Sequence, residues 1–278
     1  MRSFGKTYTV TASDGTWSVD TGAASGTGTS TFTANGSNAV SVTATDAAGN
    51  ESAAATQTLV VDTTLPTVAI TDNQEGTANG QIIYTFTFSE SVSGFTADDV
   101  TVGNGTKGLF TQVSASVYQL EVTPDAGEAG DVTVDVAGAV AVDGAGNSNS
   151  AATQSVQAFD TLAPNAPVVS ALASVTNDAT PTITVTAEAG STVKVYANGV
   201  LIGTAVEGDA GSYSLTAAAL LDGAYSVTAV ATDASGNESA ASAAQSFTID
   251  TVAPEVPQIT SGVLTNDATP VITGTAQV

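Results

Sequence analysis

Oxygen ligands recur along this chain at fixed spacing. The pentapeptide Asp-x-x-Gly-Asn occurs as Asp46-Ala-Ala-Gly-Asn50, Asp143-Gly-Ala-Gly-Asn147 and Asp233-Ala-Ser-Gly-Asn237. Asp-Thr-x-x-Pro follows 16 or 17 residues later, at Asp62, Asp160 and Asp250. Two kinds of chemistry suit these residues. Aspartate can cap the amides of a tight turn, with Gly and Asn supplying positive φ, and the Pro can stiffen a linker. Converging carboxylates can instead hold a hard cation. Ca²⁺ takes six to eight oxygens from side chains, carbonyls and water in flexible geometry, whereas Mg²⁺ demands a stricter octahedron. Capping suffices for one copy, but it does not explain an anion at both spots in every repeat.

The charge balance points the same way. Twenty-seven acidic residues face only Arg2, Lys6, Lys107 and Lys194, for a net charge of −23. No basic patch exists for a phosphate backbone, which excludes nucleic acid as a partner. Self-repulsion at this charge destabilises compact states unless counter-ions offset it, and bound divalent cations are the natural candidates. The absence of Cys and His excludes disulfides, thiolate or imidazole metal sites, cysteine nucleophiles and Ser-His-Asp catalysis. No stretch is apolar enough to span a bilayer. The first six residues lack an apolar signal-peptide core, and both ends read as cut from something longer.

The elements that must position these oxygens are strands. Val, Thr, Ala, Ser and Gly dominate over helix formers. From Asp62 to Asp160 is 98 positions and from Asp160 to Asp250 is 90, the period of an array of small domains. We therefore expect an all-β chain of tandem Ig-like β-sandwich domains arranged as an elongated rod. Its parts are an incomplete domain over 1–62, domains over 63–160 and 161–250, and the N-terminal fragment of a further one over 251–278. Ile82, Tyr84, Phe86 and Phe88 alternate with Ile83, Thr85 and Thr87; Tyr118, Leu120 and Val122, and Val132, Val134 and Val136, repeat the pattern. Period-2 alternation marks half-buried strands, and these residues are the expected core. In 161–250, Ile183 and Val185 alternate with threonines, and Asn198-Gly199 between two valine-rich runs predicts a tight hairpin. Ser212–Leu215, Ala224–Ala231, Gln245–Ile249 and a leading strand near Pro167–Ser170 bring the count to about seven. Leu264-Thr-Asn-Asp-Ala-Thr-Pro270 echoes Val175-Thr-Asn-Asp-Ala-Thr-Pro181. Residues 1–62 carry only 45 residues before their turn motif against 72 in 161–250, so the tail supplies the strands that the head lacks.

Topology then assigns neighbours to the aspartates. An odd number of strands puts a sandwich's termini at opposite ends. The last hairpin loop therefore lies beside the linker Asp arriving from the preceding domain. Asp62 is expected near Asp143 and Asn147, Asp160 near Asp233 and Asn237, and Asp178 and Asp222 near Asp250. With Asp46 and Asn50 of the first copy, these are the candidate metal ligands, and Ca²⁺ is the expected ion.

Asp46-Ala-Ala-Gly-Asn-Glu-Ser with Asp-Thr-x-x-Pro at this spacing resembles the bacterial Ig-like repeats of giant type I-secreted adhesins, the biofilm-associated surface proteins. Phe95-Thr-Ala-Asp-Asp-Val100 with Val142-Asp-Gly-Ala-Gly-Asn147 resembles one repeat subtype. Asn177-Asp-Ala-Thr-Pro181 with Asp233-Ala-Ser-Gly-Asn237 resembles another. The resemblance covers nearly the whole chain. It implies an extracellular stalk at the bacterial cell surface, serving cell adhesion or biofilm formation, with Ca²⁺ bound in and between domains by the aspartates named above. Its partners would be neighbouring repeats of the same polypeptide and, through a distal domain, a host or abiotic surface. The retention module, glycine-rich nonapeptide block and secretion signal of such adhesins are not seen in this sequence.

The remaining constellations are weaker. Asp98-Asp99, and Glu121 with Asp125, Glu128 and Asp131, fall in turn-rich stretches and read as solvated or cation-binding rather than as the paired carboxylates of a glycosidase. Trp17 is a sugar platform or, more often for a lone Trp in an alternating strand, a core residue. Gly103-Asn-Gly105 and Gly26-Thr-Gly28 lack the strand-to-helix setting of a phosphate loop and read as turns. No enzyme is expected. The competing reading is a ligand- or carbohydrate-binding Ig-like module of a secreted protein or hydrolase, which calls for an aromatic-lined loop in one unit only.

Overall fold

The computed structural model describes residues 9–13, 15–19, 32–262 and 266–277. Arg2, Lys6, Asp14, the Gly26-Thr-Gly28 turn and Leu264-Thr265 lie outside them. Apart from a 3₁₀ turn at Ala97–Asp99, every regular element among the described residues is a strand. Contacts divide the chain into two compact units: 1–74, 81–123 and 131–157 form one, and 75–80, 124–130 and 158–278 form the other.

The first unit opens on a two-stranded antiparallel hairpin, β1 (Gly36–Val42) with β2 (Ala55–Val61). A sandwich follows. One sheet has the order β3-β4-β7-β6, with β3 Val68–Asp72, β4 Ile82–Phe88, β6 Gly105–Gln112 and β7 Val117–Pro124. The facing sheet runs β5-β8-β9, with β5 Val100–Gly103, β8 Ala129–Val136 and β9 Ser155–Asp160. Antiparallel register sets Tyr84 opposite Leu120 and Phe86 opposite Tyr118. Period 2 sends these side chains to one face, where Ile82, Tyr84, Phe86, Leu120, Val122, Val132 and Val134 are fully buried. Phe95 joins Phe86, Phe88, Phe110 and Tyr118 in edge-to-face contacts with centroids 5.0 to 5.7 Å apart, the arrangement that ring quadrupoles favour.

The second unit contains a sandwich with one continuous hydrogen-bonded order, β10-β12-β15-β14-β13-β16-β17-β11. The strands are β10 Val168–Val169, β11 Val175–Thr176, β12 Thr182–Thr186, β13 Thr192–Ala197, β14 Val200–Glu207, β15 Ser212–Thr216, β16 Gly223–Thr232 and β17 Gln245–Ile249. The β13–β14 turn is Asn198 (φ 50°) and Gly199 (φ 79°), the positive-φ pair that the sequence called for. β14 pairs with β13 through Ala205 and with β15 from Val206 onward, after a register shift at Val195/Tyr196. That strand therefore serves both sheets. Its core is built from smaller residues: Ile183, Val185, Val193, Val195, Val227, Ala229 and Ala231 around Tyr213 and Phe247. Tyr225, at the start of β16, donates its hydroxyl to the Leu221 carbonyl at 2.9 Å, the tyrosine corner of Ig-type sandwiches. β11, a two-residue strand, pairs in parallel with β17. A short antiparallel pair, β18 (Gln258–Ile259) with β19 (Gly274–Thr275), follows.

Trp17 departs from the core reading. It is 51% exposed and belongs to no strand, so among the described residues no sheet face is there for the indole to cover.

Candidate metal centre

The three Asp-x-x-Gly-Asn turns share one local geometry. In the second, Asp143 Oδ1 accepts the amides of Ala145 and Asn147, each at 2.8 Å, while Asn147 Nδ2 donates to Asp143 Oδ2 at 2.8 Å. Asp46 makes the same bonds with Ala48 and Asn50. Asp233 accepts from the amide and side chain of Asn237 at 2.8 and 2.9 Å. The glycine of each copy has φ of 90° to 94°, a region that Gly adopts without the strain a Cβ brings. Each aspartate is thus a formed cap. Asn50's side chain holds the Asp46 carboxyl below its ordinary range, and Asn147's side chain does so for Asp143. Burial opposes the same effect at Asp233, but the Asn237 donors prevail and its pKa is also lowered.

A ligand group stands beside the second turn. Oxygens of Asp62, Glu90 and Asp143 all lie within 4.8 Å of one another, the single such group of three carboxylates among the described residues. Asn147 Nδ2 donates to the Asp62 carbonyl at 3.1 Å, which ties the linker to the turn. Asp62 Oδ1 accepts the Thr64 amide at 2.9 Å. Asp143 is 6% exposed; Asp62 and Glu90 are half-buried. Glu90 titrates above its ordinary value, first because burial disfavours its charge, then because Asp143 and Asp62 repel it. A groove of about 210 Å³ lined by Ser91–Ser93 and Val142–Gly144 opens beside Asp143.

Residues 62–159 match a sequence family described as bacterial Ig-like domain, and residues 168–251 match a second family of the same description. The chain carries two tandem bacterial Ig-like domains. No curated protein matches the chain. Solved structures similar to it include the fibronectin(III)-like modules of Clostridium thermocellum CbhA, at 18% identity and TM-score 0.35, covering 65% of this chain and 94% of that one. A marsupial T cell receptor aligns at 10% identity and TM-score 0.41, covering 70% and 76%. The Bacteroides ovatus protein SGBP-B, solved with a mixed-linkage heptasaccharide, aligns at 14% identity and TM-score 0.22, covering 81% of this chain and 56% of that one. Domains of the bacterial Ig-like kind occur typically in extracellular or surface proteins and are generally non-catalytic. No helix among the described residues is long and apolar enough to cross a membrane.

Within the Ig-like domains, the other candidate ligands are placed as follows. In the second unit Asn237 Nδ2 donates to the Asp160 carbonyl at 3.0 Å, so Asp160, Asp233 and Asn237 meet. Asp222 accepts the amide and hydroxyl of Thr251, and the Asp250 amide donates to the Thr176 carbonyl two residues before Asp178. The side chains of Asp178, Asp222 and Asp250 are exposed, and no group of three ligating oxygens forms among them. Asp46 and Asn50 are exposed and bond to each other.

Three sets of residues escaped the sequence reading. Glu90 completes the carboxylate group, and its only signal is its position just after the second strand of the domain, at the end where the linker arrives. The Thr of each Asp-Thr pair anchors the linker: Thr63 to Asn35 Oδ1, Thr161 to the Asp125 and Glu128 carbonyls, Thr251 to Asp222. The residue two past each motif Asn restores backbone bonds that the turn interrupts. Ser52 and Ser239 accept an amide and donate to a carbonyl, and buried Asn149 accepts the amides of Val140 and Ala141 and donates to the Ala137 and Ser150 carbonyls. The recurrence of Gly-Asn-x-Ser or Gly-Asn-x-Asn was the available signal.

Proposed function

We propose that this chain is a stalk segment of a bacterial surface adhesin, serving cell adhesion or biofilm formation outside the cell, and that Ca²⁺ stiffens it at the Asp62 linker. The observation that carries the reading is the group Asp62, Glu90 and Asp143. Its donors are all carboxylate oxygen, and a span of 4.8 Å suits atoms on different sides of one ion at about 2.3–2.6 Å from each. Glu90 accepts no side-chain or backbone hydrogen bond among the described residues, and its charge is opposed by its two neighbours. Such a carboxylate gains from a cation what it lacks from the protein. Asp62 and Asp143 would hold the ion from the linker and the last hairpin, and Glu90 from the bend just after the second strand. The ion would supply charge neutralisation and a cross-link, which is a structural part rather than a catalytic one.

Melting the protein in millimolar Ca²⁺ and in chelator tests this. A ligand at a hundredfold excess over its Kd stabilises by about 2.7 kcal/mol, roughly 10–20 °C of melting temperature for a domain of this size. Glu90→Gln should abolish that shift. Identical melting in both buffers would discard the calcium part of the proposal and leave the aspartates as turn caps.

A carbohydrate-binding role for a secreted module has one observation in its favour, the half-exposed indole of Trp17. Retention of the protein on immobilised glucan, lost in Trp17→Ala, would support that role; no retention counts against it.

A further inference from the structure

Asp160 and Asp233 repeat the positions of Asp62 and Asp143, yet their surroundings do not suit a cation. We infer that the linker at Asp160 is closed by a hydrogen-bonded latch, built from Ser235, Asn237 and Asn79, that needs no metal. The inference relies on the calcium reading of the Asp62 group for contrast only.

Both carboxylate oxygens of Asp160 already face proton donors. Ser235 Oγ donates to Oδ2 at 2.9 Å and the Leu162 amide to Oδ1 at 3.0 Å. Asn237 Nδ2 is shared between the Asp160 carbonyl and Asp233 Oδ2. No third carboxylate joins this pair among the described residues. The pentapeptide itself carries the difference, because its third residue is Ser235 here and Ala145 in the turn beside Asp62. Ser235 thus offers Asp160 a hydroxyl where the turn beside Asp62 has only a methyl group. The contrast lies at the linker aspartate: Ser235 takes up a lone pair of Asp160 Oδ2, whereas the Asp62 carboxylate accepts a hydrogen bond at Oδ1 alone among the described residues and keeps Oδ2 open to a hard cation.

Loop 75–80, which belongs with Asp160 and the 233–237 turn to the second compact unit, closes the latch. Asn79 Nδ2 donates to the Ser235 carbonyl. Asn79 is held in place by buried Ala78, whose amide donates to the Ala158 carbonyl at 2.9 Å and whose carbonyl accepts the Asp160 amide at 2.8 Å. Gly236, at φ 91°, leaves room for the Asn79 amide; a Cβ there would come within 2.9 Å of Nδ2.

Two measurements on the full chain decide the matter. Calcium titration by calorimetry, after chelator treatment, should give the same number of ions for wild type, Asp160→Asn and Ser235→Ala, and fewer for Glu90→Gln. Amide exchange over 233–237 should accelerate roughly two- to tenfold in Ser235→Ala, the worth of one hydrogen bond, equally in calcium and in chelator. Ser235→Thr, which keeps the hydroxyl, should restore it. Loss of bound ions in Asp160→Asn or Ser235→Ala, or protection of the turn by calcium, would overturn the latch. If wild type binds no calcium, the Asp62 reading fails and the exchange measurement alone decides: unchanged exchange in Ser235→Ala would sink the latch too.

Discussion

At Glu90 a carboxyl's ordinary preference for ionisation is opposed by burial and then by two like charges, whereas Asp143 beside it is held ionised by Asn147. The two groups therefore push stability in opposite directions as pH changes. A raised native pKa favours folding when the group is protonated, and that advantage is lost as pH rises through the raised value. A lowered one favours folding when ionised, and that advantage is lost as pH falls through the lowered value. In chelator, the 62–159 domain should thus melt higher as pH falls from neutral toward the ordinary carboxylate range, and lower again beyond it. Calcium or Glu90→Gln should flatten the first limb. A melting temperature that declines steadily from neutral pH in chelator would show that Glu90 carries no such burden. Asp143 and Asp62 could be singled out from sequence because they sit in repeated motifs. Glu90 could not, since its part depends on which strand ends face the linker and nothing in its neighbours repeats.

Strand elements were legible wherever one face is buried, because alternation in β4, β7, β8 and β12 is the imprint of that burial. β11 left no imprint. Two residues cannot show a period, and its parallel partner β17 lies some 70 residues away in sequence, with Val175 opposite Thr248. Trp17 was misread because a single aromatic in a plausible strand carries no sign of whether a sheet exists to receive it. Asn149 shows how an element boundary is repaired. Its side chain replaces four backbone partners around Ala139, which sits at φ 64° despite its Cβ. Asn149→Ala leaves the buried Ala141 amide and three part-buried backbone groups without their partner and should cost about 1–3 kcal/mol, read as a lower denaturant midpoint with unchanged m-value. Ser239→Ala, which loses one amide partner and one carbonyl partner, should cost less. Equal and negligible costs would mean that water repairs both sites.

Across the whole molecule, a net charge of −23 acts on every folded part at once. Simple salt should therefore stabilise both domains in chelator, in contrast to calcium, which on our reading acts at one linker. Raising NaCl from about 50 mM to 500 mM shortens the screening length from roughly 14 Å to 4 Å. Both transitions in a calorimetric scan should move up together; a shift confined to one would show that local clusters, not net charge, govern stability. The β11–β17 pair has a further consequence under tension. The chain enters this domain before β11 and leaves after β17, and the Thr248 and Asp250 amides donate to the Ser174 and Thr176 carbonyls. Pulling on the two ends of parallel neighbours drags them past each other, so these bonds share the load instead of opening one by one. Rupture then depends on the unfolding barrier rather than on equilibrium stability. Val175→Pro, which disturbs the short strand but not the core, should lower the force needed to extend residues 168–251 in single-molecule pulling far more than it lowers their melting temperature. A strand of two residues would then set the tensile strength of the domain.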